Sequence, residues 1–257
     1  MNYGLYLSAN GISSSQHKMS VLANNLANVN TTGFKPSQVV LGERERAAER
    51  LGGGTDSKAL LEQLGGGTRI GYSGLRMTQG SIERTELKTD LALMGKGFLS
   101  IESDTRGTNA FTRDGRLRFD GDGFLRHASS NRPVLDDTGG RIQLDPDQQL
   151  RFAGFGAGGE LLDRDDLNRP FATVGLVDVD PLSIRSEGQN ILSTEGRVNA
   201  SAATEVIGGA VENSSADPVT GMVELIKLTR EIEMNSRLIQ YQDAMIGQAV
   251  TSLGRVV

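Results

Sequence analysis

The feature that most limits what this chain can fold into is a seven-residue apolar repeat at each of its ends. Leu5, Ile12, Met19 and Leu26 recur at that interval near the start, and Leu225, Ile232, Ile239, Ile246 and Leu253 near the finish. Ala9, Leu22, Ala23 and Val29 fill the neighbouring stripe of the first series, and Met222, Leu228, Ala249 and Val250 that of the second. Side chains return to one helix face every three or four residues, so the spacing predicts amphipathic helices over residues 3–30 and 218–254. At 1.5 Å per residue these are roughly 40 and 55 Å long. A sustained period of 3.5 favours a coiled-coil seam over a plain surface helix. Gly33 and Pro36 predict the stop of the first helix, while Asp217 and Pro218 suit the N-cap and first turn of the second. Asn235 and Gln242 fall on the second seam, where polar residues cost stability but fix register. Amphipathic ends packing on their own domain would give a similar pattern. The strict spacing at both ends, and the lack of other long helical patterns to pack against, favour pairing of the two.

Between the ends the pattern changes. Residues 42–68 hold two short charged helical stretches punctuated by Gly52-Gly53-Gly54 and Gly65-Gly66-Gly67, which reads as a flexible insertion. From about residue 70 to 212, short runs such as Phe98-Leu99-Ser100-Ile101 and Leu176-Val177-Asp178-Val179 alternate with Gly, Asp and Asn. Asp120-Gly121-Asp122-Gly123 is a strong hairpin turn between two of them. The expected fold class is therefore α+β: N- and C-terminal helices pairing as a coiled coil, with an inserted all-β domain. The expected divisions are 1–35 as the first helix, 36–80 as linker and flexible insertion, 81–212 as the β domain and 213–257 as the second helix.

No group of residues in the sequence has the types and spacing of a catalytic or binding centre. The chain has no Cys, which removes thiol nucleophiles, disulfides and thiolate metal sites. Neither His17 nor His127 has a second ligand at helix or hairpin spacing. Gly154-Phe155-Gly156-Ala157-Gly158-Gly159 lacks the strand–helix setting of a dinucleotide loop and reads as a turn. The acidic runs Asp145-Pro146-Asp147 and Asp163-Arg164-Asp165-Asp166 sit in turn contexts. They leave open a carbohydrate-active enzyme or binding module with helical oligomerisation ends, without supporting it. No catalytic, cofactor-binding or metal residues are assigned, and no cofactor is expected. The net charge of -5 argues against nucleic acid, and no apolar run is long enough to insert in a membrane. The start of the chain has neither the basic residues nor the apolar core of a secretory signal.

The segment Leu22-Ala23-Asn24-Asn25-Leu26-Ala27-Asn28-Val29-Asn30-Thr31-Thr32-Gly33-Phe34-Lys35 closely resembles the signature of flagellar axial proteins, the rod, hook and hook-associated subunits. Further stretches extend the resemblance through most of the chain: Gly80–Thr85, Asp90–Phe98, Phe111–Leu117 with Asp120–Gly123, and Val211–Val219 with Met222–Ile226 and Arg230–Asn235. The family often carries an aromatic residue where Ile232 stands, which leaves the apolar seam intact. The resemblance implies a structural, non-enzymatic subunit of the basal-body rod that spans the periplasm and transmits torque. It implies self-assembly through the terminal helices, with Leu5, Ile12, Met19, Leu26, Leu225, Ile232, Ile239, Ile246 and Leu253 at the interface. Asn24, Asn25, Leu26, Ala27, Asn28, Gly33 and Phe34 are the family motif. Implied partners are further copies of the chain, other rod and hook subunits, and the flagellar type III export apparatus, which requires no cleaved signal peptide. Chain length fits a proximal or distal rod subunit. Tyr3-Gly4-Leu5-Tyr6 is similar to the proximal type and the length of the 42–68 insertion to the distal, so both stay open.

Overall fold

The computed structural model describes residues 2–43, 67–105, 108–196, 198–201 and 204–253. It is a mixed helix and sheet fold with one long helix near each end. In chain order the elements are α1 (Asn2–Ala27), β1 (Ser37–Glu43), β2 (Thr68–Leu75), β3 (Ile82–Arg84), β4 (Leu91–Met94), β5 (Phe98–Ile101) and β6 (Asn109–Thr112). There follow β7 (Leu117–Phe119), β8 (Leu125–His127), α2 (Pro146–Arg151), β9 (Phe152–Phe155), β10 (Leu161–Asp163) and β11 (Leu176–Asp178). The last are β12 (Arg185–Gly188), β13 (Ile191–Thr194), β14 (Asn199–Ala200), β15 (Glu205–Gly208), β16 (Ala210–Glu212) and α3 (Pro218–Leu253). Most of the insertion read at 42–68 lies outside the described residues. Its flanks carry β1 and β2, which pair as a two-stranded ribbon.

The chain divides into two compact units. One comprises residues 1–27, 37–73 and 217–257, the other 28–36 and 74–216. In the first, α1 and α3 pack side by side and run antiparallel, since Gly4 faces Gln242, Gly11 faces Asn235 and Leu22 lies beside Gly221. The start of α3 is fixed by the residue the sequence singles out. The Asp217 carboxylate accepts the Val219 N–H at 3.0 Å, and Pro218 occupies the first turn, where no N–H is needed. The other end of the reading needs correcting: α1 stops at Ala27, well before Gly33. Gly33 does adopt a left-handed φ of 65°, but in a turn that serves the second unit.

That second unit is rich in strands without being purely β, because α2 and a 3-10 turn at Pro181–Ser183 interrupt it. Its main sheet runs β12-β13-β6-β5-β11-β14, antiparallel throughout. Successive residues of a strand face opposite sides, and in β5, β6 and β13 both sides carry buried apolar residues. Leu99, Ile101, Ala110 and Ile191 join one core cluster, while Phe98, Phe111 and Leu192 join the other. The Phe98 and Phe111 rings meet at 5.1 Å. The hairpin read from Asp120-Gly121-Asp122-Gly123 joins β7 to β8. Asp120 closes it by accepting the N–H groups of Asp122 at 3.0 Å and Phe124 at 2.8 Å. The unit is closed by its outermost strands: β3 pairs antiparallel with β16, placing Ile82 opposite Glu212.

Candidate assembly interface and signature segment

The helix pair uses a heptad face on each partner. On α3 the residues that are not exposed fall at 221, 225, 228, 232, 235, 236, 239, 242, 246 and 249, which is the a/d alternation with one addition. Leu225, Ile232, Ile239 and Ile246 are thus half-buried together, as are Leu5, Ile12, Met19 and Leu26 on α1. The side chain of Leu253 lies outside the described residues. The sequence reading missed the second half of the α1 face. Gly4, Ser8, Gly11 and Ser15 form a stripe of small residues at spacings of 4, 3 and 4. They let the backbones approach. A Cβ at Gly4 would sit 2.5 Å from Gln242 Nε2, and one at Gly11 would sit 3.1 Å from Asn235 Nδ2. The two polar seam residues of α3 therefore dock onto the two glycines of α1, a pairing that sets register by shape as well as polarity.

The opposite side of α3 carries a row of exposed apolar residues interspersed with Lys227, Arg230 and Arg237. Ile226, Met234, Leu238, Tyr241 and Met245 lie within about a third of a turn of one another at 100° per residue, and all are between 49% and 67% exposed. Several large apolar residues exposed along one side of a helix whose other face is already used mark a candidate interaction surface.

The signature segment is divided between the units. In the first, Asn24 and Ala27 lie on α1, and Asn25 acts as a backbone surrogate: its Nδ2 donates to Ser37 O at 2.7 Å and its Oδ1 accepts Ser37 N–H at 2.9 Å. That double bond pins the first residue of β1. In the second, Asn28 accepts the Thr31 N–H at its carbonyl (3.1 Å) and the Thr31 hydroxyl at its side chain (3.2 Å). The turn so formed delivers residues 32–35 as a strap. Thr32 Oγ1 donates to Asp114 at 2.7 Å, Gly33 N–H to Glu212 O at 2.6 Å, and Asn190 Nδ2 to Thr32 O. Phe34 is half-buried beside a fully buried Lys35.

Two buried charge clusters hold the strap. In one, Glu212 meets both Lys35 and Arg113, and Arg113 also lies over the Phe98 ring at 5.0 Å. In the other, Asp114 takes a forked contact from Arg116 and lies 3.2 Å from Nε2 of a fully buried His127, an ion-pair distance without good hydrogen-bond alignment. His127 Nδ1 is 2.8 Å from the Ser130 hydroxyl. Burial pushes the Asp114 carboxyl up, but the contacts from His127, Arg116 and Thr32 outweigh it and hold the group well below the usual carboxylate range. A depressed carboxylate contributes stability that is present above its unfolded value, about 3.9, and lost as pH falls towards the folded one. Asp114→Asn should lower stability at pH 7 by about 3 kcal/mol. In urea melts the gap from the parent should narrow steadily below about pH 4. A gap of constant size from pH 7 to pH 3 would mean that folding does not depress the Asp114 carboxyl.

An antiparallel pair of terminal helices in one unit and a strand-rich second unit define the class by fold. Comparison with known proteins makes the class specific. Residues 5–35 match the family described as flagella basal body rod protein, and residues 207–252 the flagellar basal body rod FlgEFG protein C-terminal family. The flagellar basal-body rod protein FlgF of Caulobacter vibrioides is 28% identical over the whole of both chains. FlgF of Mesorhizobium japonicum is 30% identical over 99% of each chain. FlgG of Borreliella burgdorferi is 28% identical over 97% of this chain and 98% of its own. The chain belongs to the flagellar basal-body rod protein family.

Proposed function

We propose that this chain is a structural subunit of the flagellar basal-body rod that self-assembles through its terminal helices into the axial tube that transmits torque. The observation that carries the reading is the apolar stripe of α3 from Ile226 to Met245, exposed on a helix whose opposite face already holds α1. Each side chain of that stripe gains about 1.5–3 kcal/mol on full burial, and an array repeats the gain in every copy. In this reading Leu5, Ile12, Met19, Leu26, Leu225, Ile232, Ile239, Ile246 and Leu253 hold the pair as a coiled coil, and the outer stripe joins neighbouring copies. Residues 1–35 and 213–257 are then the polymerising ends. Residues 36–80 are the linker, and 81–212 form the β domain that makes lateral contacts. The partners are further copies, other rod and hook subunits, and the flagellar type III export apparatus, with the rod spanning the periplasm.

Hydrogen exchange on the purified monomer and on isolated basal bodies tests this. Amides in 3–27 and 218–253 should exchange at least tenfold more slowly in the basal body. Equal protection in both states would overturn assembly through these helices.

A further inference from the structure

We propose that Glu212 is the keystone of a charge-locked latch that closes the strand-rich unit and opens as one piece while the main sheet stays folded. Three other stretches of the chain meet at this one residue. Lys35 Nζ lies 2.6 Å from Glu212 Oε1 and Arg113 Nη1 3.0 Å from Oε2, and all three side chains are at most 3% exposed. Gly80 N–H donates to Glu212 Oε1 at 2.8 Å, and Gly33 N–H donates to its carbonyl at 2.6 Å. The two cations extend the network, since Lys35 donates to Thr78 O at 2.8 Å and Arg113 donates to Gly95 O. Asn213 N–H then binds Ser81 O at 2.8 Å.

The latch differs in kind from the sheet beside it. β5, β6 and β13 lie between two apolar clusters, whereas residues 33–35, 78–82 and 211–213 belong to neither and are joined by the β3–β16 ladder and by polar contacts around one carboxylate. Segments held that way open before an apolar core does. Lys35 and Glu212 stand 177 positions apart in sequence, so the latch cannot close on a chain that has not reached its last strand. Closure therefore reports that the unit is complete. The device lies wholly within the strand-rich unit, and its test is independent of rod assembly.

Charge balance gives the latch a signature that ordinary packing lacks. Two cations share one anion, and burial together with Arg113 pushes the Lys35 ammonium below its ordinary value while Glu212 opposes the shift. Removing the anion leaves two like charges buried together. Removing Lys35 leaves a balanced Arg113–Glu212 pair. Hydrogen exchange of the full chain should show peptides covering 33–35, 78–82 and 211–213 exchanging at least tenfold faster in Glu212→Gln, with 98–101, 109–112 and 191–194 within about threefold of the parent. Lys35→Met should leave the latch peptides within about threefold, and adding it to Glu212→Gln should slow their exchange relative to Glu212→Gln alone. The proposal is overturned if latch and sheet accelerate together, if the two single variants behave alike, or if the double variant exchanges faster than Glu212→Gln. Should Glu212→Gln fail to fold, a folded double variant upholds the charge lock and an unfolded one overturns it.

Discussion

Ile239→Asp should abolish rod assembly and motility while leaving the strand-rich unit folded. Ile239 is half-buried on the α3 seam, in the turn between Asn235 and Gln242, which dock on Gly11 and Gly4 of α1. A carboxylate placed there costs on the order of 3 kcal/mol, and each increment of about 1.4 kcal/mol is tenfold in an equilibrium constant. A cost incurred by every subunit leaves little polymer. The cores around Leu99, Phe111 and Leu192 belong to the other unit, so its near-ultraviolet dichroism and melting should stay within error of the parent. Tyr241→Asp makes the sharper comparison. Tyr241 is 67% exposed, so the variant should keep the helical content of the parent monomer and still fail to assemble. Motility assays in a strain lacking the native subunit, with helical content of each purified monomer, read both effects. Normal swimming by the Tyr241 variant would remove the outer stripe from the interface.

How much of this could be read from the sequence depends on how local the deciding chemistry is. The two helices follow from a heptad, the cap from Asp217-Pro218, and the β7–β8 hairpin from Asp120-Gly121-Asp122-Gly123, whose carboxylate binds N–H groups two and four residues on. The facing of the helices was half visible. The Leu and Ile series announces itself, but the small-residue stripe Gly4-Ser8-Gly11-Ser15 carries no apolar signal and gains meaning only against Asn235 and Gln242. The strand order β12-β13-β6-β5-β11-β14 interleaves strands distant in sequence, which no local pattern encodes. The buried charges were least visible. Lys35, Arg113, Asp114 and Glu212 look like solvated surface residues until the fold brings them together, and His127 reads as a lone histidine until Asp114 and Ser130 flank it.

Gly33 shows the same limit from the other side, and its substitution carries the second large effect. Its sequence setting suggests a helix stop, because glycine tolerates the left-handed region, and φ is indeed 65°. The use made of that freedom is different: a Cβ at Gly33 would overlap the carbonyl group of Arg113 and the backbone nitrogen of Asp114. Only a residue without a side chain lets the strap lie against that backbone while its N–H reaches Glu212 O. Gly33→Val should therefore combine three costs: about 1–2 kcal/mol for a left-handed L-residue, about 1–3 for overpacking, and about 1–3 for a buried acceptor left unpaired. Because relief of one cost partly relieves the others, about 4 kcal/mol is expected, which lowers the melting temperature of the unit by roughly 10 °C. Gly121→Ala is the control, since nothing lies within 4 Å of the added Cβ, and it should melt within about 2 °C of the parent. If Gly33→Val also melts within that range, the strap does not lie against the Arg113 backbone in solution, and the signature glycine must be explained by assembly alone.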